Sequence, residues 1–333
     1  MSLIPSVYTV ECVTKGHPDR VCDQIADRIL KEIAYLDPTA HVAVEVFGCK
    51  GVLTIGGEVT TQAQVDYESL AREVLHEVCY EDPIEIRIHL ISQSPEIHSA
   101  VDVGGAGDQG IMYGYATHET ETFMPIGVHF SRALTTELER LRESGEIPWL
   151  KSDGKVQVTI RDHVPEVIVV STQHKADISL EEVRSVLMEN LILPQWQKQR
   201  FPEPMSCRVL INPAGSWTVG GFNADSGLTG RKLAVDSYGG ILPGGGGSTH
   251  GKDLSKVDCS ATTQARQAAV AIVGAGLAQE CLVSVAYAIG INEPVMLYAL
   301  NQNAEEITHL LDPKVFLSTQ LRSHSFDAQE EGR

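Results

Sequence analysis

His41-Val42-Ala43-Val44-Glu45-Val46-Phe47, Gly48-Cys49-Lys50-Gly51 and Val52-Leu53-Thr54-Ile55-Gly56-Gly57-Glu58 read in succession as a strand, a turn and a second strand. Alternation with a period of two, broken by a Gly-flanked polar turn, is the pattern of a hairpin. With Phe47 opposite Val52, the side chains of Val42, Val44, Val46, Leu53 and Ile55 share one face and form core. Glu45 and Glu58 fall together on the other face. Two acids there make either a solvated surface or a seat for a cation or an ammonium group.

Helical patterns flank this hairpin. His17-Pro18-Asp19 opens the first, where Pro suits an initial turn and Val21, Ile25, Ile29 and Ile33 recur every four residues. It should end near Leu36-Asp37-Pro38. His17 and Asp19 then sit at a positive helix end, with Asp19 either an ordinary first-turn acid or part of an ion site. Val65, Leu70, Val74 and Val78 mark a second helix after the hairpin.

The same unit recurs. Lys155–Arg161 and Glu166–Thr172 form a second hairpin, with Val156, Val158 and Ile160 inward and Lys155, Gln157, Thr159 and Arg161 outward. Ser179 and Glu182 make a capping box for a helix carrying Val183, Val186 and Leu191. A third hairpin is expected at Arg208–Gly221, around Asn212-Pro213-Ala214-Gly215, with a long helix from about Ala261 to Gln279. Three repeats imply an α/β (α+β) fold of three related modules, β-sheet covered by helices in a pseudo-threefold arrangement. Their expected bounds are 1–100, 101–207 and 208–333. Ser94–Gly107 reads as a loop of the kind that serves as a lid. A strand at Val295–Leu300, a short helix at Glu305–Leu311 and a polar, disordered tail from Ser323 complete the expectation.

Candidate chemistry gathers between Trp217 and Asp258. This stretch sets Arg231, Lys232, Lys252 and Lys256 against Asp225, Asp236, Asp253 and Asp258, with six glycines in Gly239–Gly247 between the two basic clusters. The whole chain has 26 Lys and Arg against 44 Asp and Glu, a formal charge of -18. A locally neutralised island in an acidic protein suits a polyanion held with metal ions, and glycine N–H groups can line such a site. Gly246-Gly247-Ser248-Thr249-His250-Gly251-Lys252 fits G-x-x-x-x-G-K, yet Asp253 stands where a P-loop needs Ser or Thr, and Ile241-Leu242-Pro243 makes a poor preceding strand. The alternative for the glycines is a plain flexible loop.

Gly227-Leu228-Thr229-Gly230-Arg231-Lys232, Tyr238-Gly239-Gly240 and Gly251-Lys252-Asp253-Leu254-Ser255-Lys256-Val257-Asp258 resemble the S-adenosylmethionine synthetase (methionine adenosyltransferase) family. Gly16-His17-Pro18-Asp19, Gly56-Gly57-Glu58, Gly105-Ala106-Gly107-Asp108-Gln109-Gly110 and Ser171-Thr172-Gln173-His174 agree, in the family's order. The resemblance implies transfer of the adenosyl group of ATP to L-methionine, then hydrolysis of the tripolyphosphate. It implies ATP contacts at His17, Asp153, Lys155, Ser216, Trp217, Asp225, Arg231, Lys232, Ser248 and Lys252, with His17, Lys155, Arg231 and Lys252 catalytic. Methionine contacts are implied at Glu58, Gln93, Asp108, Asp225 and Lys256, Mg²⁺ at Asp19 and Asp258, and K⁺ at Glu45. The family further implies a homodimer with shared sites, and leaves open the pairing of dimers into a homotetramer.

Departures from the family pattern are Arg20 for Lys, Lys15 for an acid, Cys259 for Arg, and a shorter 94–107 loop and carboxyl end. The loop change puts substrate choice in question and motivates two alternatives, a methionine analogue as substrate or mainly tripolyphosphatase activity. A third, of a different class, is a catalytically dead relative that binds nucleotide or partners an active subunit, which intact His17, Asp19, Lys155, Arg231 and Lys252 oppose. Composition bounds the rest: no run of 18 apolar residues and no basic, apolar leader indicate neither secretion nor membrane spanning. Seven scattered cysteines without a C-x-x-C pair suit a reducing cytoplasm, and the acidity opposes nucleic-acid binding.

Overall fold

The computed structural model describes residues 2–92, 104–203 and 205–322. The chain runs β1 (Val7–Val13), α1 (Pro18–Leu36), β2 (His41–Cys49), β3 (Val52–Thr60), α2 (Tyr67–Glu77), β4 (Glu85–Ile91), β5 (Gly110–Thr117) and α3 (Ile126–Glu143). A second hairpin, β6 (Leu150–Arg161) and β7 (Val164–His174), leads to α4 (Leu180–Leu187), a π-helical turn at Met188–Ile192 and α5 (Leu193–Lys198). Next come β8 (Arg208–Ile211), β9 (Gly227–Leu228), α6 (Leu233–Asp236), α7 (Val257–Gly274), β10 (Glu280–Tyr287), β11 (Met296–Asn301) and α8 (Ser318–Leu321).

Among the described residues the strands form three sheets, ordered β4-β3-β2-β9, β1-β6-β7-β8 and β11-β10-β5. Each lies against its own apolar core, so the mixed α/β architecture of helix-covered sheets follows the sequence pattern. Val21, Ile25, Ile29 and Ile33 put the buried stripe of α1 against Val42, Val44, Val46, Leu53 and Ile55 of the first hairpin. Each such fully buried aliphatic chain contributes about 2 kcal/mol. Phe47 lies opposite Thr54 rather than Val52, with Cys49 opposite Val52. That slip is two residues, so every side chain keeps its expected face.

The third hairpin is not where the sequence placed it. After β8, which joins β7 in parallel, the chain leaves the sheet. Asn212 is the reason: its side chain accepts from the Thr172 amide at 2.8 Å and donates to the Thr172 carbonyl at 3.0 Å, taking the ladder position that a further strand residue would use. The hairpin of the third core is β10–β11, covered by α7. Helix α7 also begins earlier than Ala261 and ends at Gly274, and Glu305–Leu311 supplies only a 3-10 turn at Thr308–Leu310. Helix α3, which no expected element covers, packs on the sheet built on β6. The sheets draw on distant segments: β1 pairs with β6, β5 with β10 and β9 with β2. Most of the expected lid, residues 94–103, and the tail from Ser323 lie outside the described residues. Among those described, no helix is long and apolar enough to cross a membrane.

Candidate active site

Helix α1 starts the site. His17 is its N-cap: Nδ1 accepts from the Asp19 amide at 3.2 Å, and Pro18 fills the first turn. Burial lowers the His17 pKa to about 4, and the ammonium of Lys232 pushes the same way, so the ring is neutral at physiological pH. Because Nδ1 accepts, the neutral ring carries its proton on Nε2, where it can donate to an anionic oxygen.

Asp19 is fully buried. Its Oδ1 accepts from the Leu228 amide at 3.0 Å and pairs with Arg231 Nε at 2.9 Å, while Oδ2 pairs with Lys232. Burial alone would raise its pKa; the Lys232 and Leu228 hydrogen bonds outweigh that and hold the carboxyl below the usual range. Arg231 also donates to the Ser226 carbonyl at 2.7 Å and stands 3.9 Å from the exposed Asp225. His17, Asp19, Arg231, Lys232 and Asp225 are thus one constellation. Lys155 joins it through its field at His17, and its ammonium pairs with Glu11 of β1 at 2.5 Å.

A second group lies at the far end of the glycine run. Lys252 bridges to Ala43 of β2 and pairs with Asp258 Oδ2 at 2.9 Å. Gly251 adopts a φ of +67°, and a side chain there would strike the Val44 carbonyl; one at Gly247 would strike the Asp258 carboxylate. These close approaches require glycine. Lys256 stands at the N-cap position of α7 without a side-chain capping bond, and Glu58 lies opposite Ala43 on the other side from Lys252. Among the described residues no hydrogen bond or ion pair joins Lys252 and Asp258 to the Asp19 constellation.

The remaining candidates fall around these two groups. Asp153 is buried at 3% exposure; Oδ2 accepts from the Gly221 amide at 2.8 Å, whereas Oδ1 has no hydrogen-bond partner. Burial raises its pKa to about 6. Ser216 is exposed and Trp217 half-buried on the segment after Asn212. His174 fixes that segment: Nε2 accepts from the Trp217 amide at 3.1 Å while Nδ1 donates to the Lys175 carbonyl at 2.8 Å. Ser248 accepts from the His250 amide at 3.1 Å. Exposed Asp108 caps the Gln109 amide at 2.7 Å, before β5. Glu45 is exposed opposite Gly56, diagonal to Glu58 on the outer sheet face. Gln93 lies outside the described residues.

The departures have local explanations. Arg20 binds Asp23 at 3.2 Å and Asp236 at 2.6 Å. Lys15 pairs with Glu143 at 3.1 Å, in the open, where such a pair contributes about 0–1 kcal/mol. Cys259 is buried, its thiol donating to the Thr249 carbonyl at 2.9 Å. The sequence pattern does not single out Glu11, Asp23, Asp27 or His250; only Asp23 and Asp27 carry a local signal, the Asp stripe at 19, 23 and 27 beside the apolar stripe of α1, and it does not reveal their distant partners.

Comparison with known proteins agrees in all three parts of the chain. Residues 5–102 match the S-adenosylmethionine synthetase N-terminal domain, 103–217 the central domain and 219–324 the C-terminal domain. The S-adenosylmethionine synthase of Thermosynechococcus vestitus is 41% identical over 328 residues, covering 88% of this chain and 79% of the relative. S-adenosylmethionine synthase 1 of Rhodospirillum rubrum is 45% identical over 306 residues, 87% of this chain and 79% of its own. For the Mesoplasma florum S-adenosylmethionine synthase the identity is 41% over 320 residues, 91% and 84% of the two chains. Three domain matches in unbroken order, on a chain whose three sheets each have their own core, place it in the S-adenosylmethionine synthetase family, enzymes that form S-adenosylmethionine from ATP and methionine.

Proposed function

We propose that the two residue groups are the two halves of the site at which this methionine adenosyltransferase joins ATP to L-methionine. A thioether sulfur has no proton to lose, so no general base is needed. Its lone pair forms a bond to ribose C5′ as the C5′–O bond breaks, giving a sulfonium and free tripolyphosphate. Alignment of sulfur, carbon and leaving oxygen is worth up to about 7–11 kcal/mol in favourable cases. The other demand is stabilisation of charge on the leaving chain.

The observation that carries this reading is Asp19, buried and gripped by Arg231 and Lys232 beside a neutral His17 at a helix N-terminus. His17 Nε2–H donates to the departing oxygen. Lys155, Arg231, Lys232 and Lys252 hold phosphates, with Arg231 also serving tripolyphosphate hydrolysis. Asp153, Ser216, Trp217, Asp225 and Ser248 hold the nucleoside, and the unpartnered Asp153 Oδ1 suits a ligand hydroxyl. Glu58, Gln93, Asp108, Asp225 and Lys256 hold methionine, their carboxylates facing the ammonium and the new sulfonium charge.

Asp19 and Asp258 would hold Mg²⁺ through carboxylate oxygens, hard donors that suit it, in place of the Arg231, Lys232 and Lys252 cations paired with them here. Bound there, Mg²⁺ would neutralise triphosphate charge. Glu45 is assigned to K⁺. Because Asp19 and Lys252 belong to separate groups within one chain, the complete site is assigned to a homodimer, each site taking one group from either subunit; a further pairing to a tetramer is compatible with this. The modules are set at 1–100, 101–207 and 208–333, and seven free cysteines support a cytoplasmic home.

Mass spectrometry of the products from ATP, L-methionine, Mg²⁺ and K⁺ tests the reaction. S-adenosylmethionine with diphosphate and phosphate is expected; phosphate alone would mark a tripolyphosphatase. Lys252→Met should abolish turnover, and an unchanged rate would refute the phosphate assignment.

A further inference from the structure

Three carboxylates stand four residues apart on α1, and each accepts a backbone N–H from a remote turn. Asp19 takes Leu228 at 3.0 Å, Asp23 takes Gly230 at 2.8 Å, and Asp27 takes Gly251 at 2.8 Å. Spacing of four keeps them on one helix face. Gly230 immediately precedes Arg231 and Lys232; Gly251 immediately precedes Lys252. One helix therefore fixes, by backbone, the roots of all three cations.

His250 closes this arrangement. It is buried, with Nδ1 2.7 Å from Asp27 Oδ2 and Nε2 3.2 Å from Asp236 Oδ2 and 3.8 Å from Asp23. Asp27 thus grips residues 250 and 251 with both oxygens, one on the ring and one on the amide. We infer that His250 is a positioning residue, locking the end of the glycine run to α1 and so setting where the Lys252 ammonium stands.

The charges that face the ring are Arg20, Asp23 and Asp27 from α1 and Asp236 from α6. Three carboxylates against one guanidinium leave an excess of negative charge, which an imidazolium offsets. Burial would lower the His250 pKa, but hydrogen bonds to Asp236 and Asp27 prevail and raise it to about 9. Asp23, Asp236 and His250 offer three donor atoms within 4.8 Å of one another, yet Arg20 bonds to Asp23 and Asp236 and lies 3.1 Å from His250, so the cluster is closed by a guanidinium rather than by an ion.

The inference rests on the phosphate role assigned to Lys252, and a double-mutant cycle separates the two. Tripolyphosphate with Mg²⁺ is titrated calorimetrically into the full-length protein, its Lys252→Met and His250→Gln variants, and the double variant. Each single change should weaken binding about tenfold, and the double variant should bind no more weakly than Lys252→Met alone. If the two losses multiply, or if His250→Gln binds like the parent while Lys252→Met does not, the positioning role is overturned. Unchanged binding by Lys252→Met overturns the phosphate role and the inference with it. Should His250→Gln fail to fold, Asp27→Asn keeps an acceptor for the Gly251 amide and takes its place in the cycle, with the same non-additivity expected.

Discussion

Asp153 keeps a charge inside the protein with one oxygen unpartnered. Its raised pKa means that the folded state holds the proton more tightly than the unfolded state. Ligand-free stability is therefore penalised as pH rises from the ordinary carboxylate value, and the penalty is complete above about pH 6, at about 3 kcal/mol. Asp153→Asn keeps an acceptor for Gly221 and should raise the melting temperature at pH 7.5 while weakening ATP binding tenfold or more; calorimetry reads both. His250 has the opposite linkage. Its folded pKa, raised to about 9, gives stability that is complete below about pH 6.5 and is lost as pH rises through 9. Melting temperature should fall across pH 7–9.5 in the parent and stay flatter in His250→Gln. The basic residues flanking the glycine run made Lys252 and Arg231 legible in the sequence, whereas the Asp23 and Asp27 contacts were not. Their partners lie 207 and 224 residues away, beyond any local pattern.

At the scale of elements, alternation carried the sheets. Val156, Val158 and Ile160 are fully buried as their spacing required, because a period of two survives small errors of register. The third hairpin failed on a single side chain. Asn212 stands in for backbone against Thr172, and no pattern of apolar residues encodes that substitution. Asn212→Ala strips partners from a buried amide and a buried carbonyl, so a loss of about 2–3 kcal/mol is expected in denaturant unfolding. The following segment carries Ser216 and Trp217, and KM for ATP should rise more than kcat falls. Helix α3 is hidden in the sequence for a different reason. It mixes buried Ser131, Thr135 and Glu139 into its inner face, blurring the stripe that marked α1 so clearly.

Across the whole molecule, the separation of the Asp19 and Lys252 groups makes a prediction about assembly. A variant bearing Asp19→Asn and another bearing Lys252→Met should each be inactive. Mixed after dissociation, they should regain up to about a quarter of the parent rate, since half of the pairs are hybrids and each hybrid holds one intact site. Activity measured against mixing ratio checks this; permanent silence of the mixture would place the complete site within one chain.

The pairing of β1 with β6 also bears on how the protein comes into being. During synthesis Val7–Val13 leaves the ribosome early, yet its neighbour Leu150–Arg161 is made much later. Until then the nascent chain carries an unzipped strand edge, the kind of surface that chaperones shield and aggregates recruit.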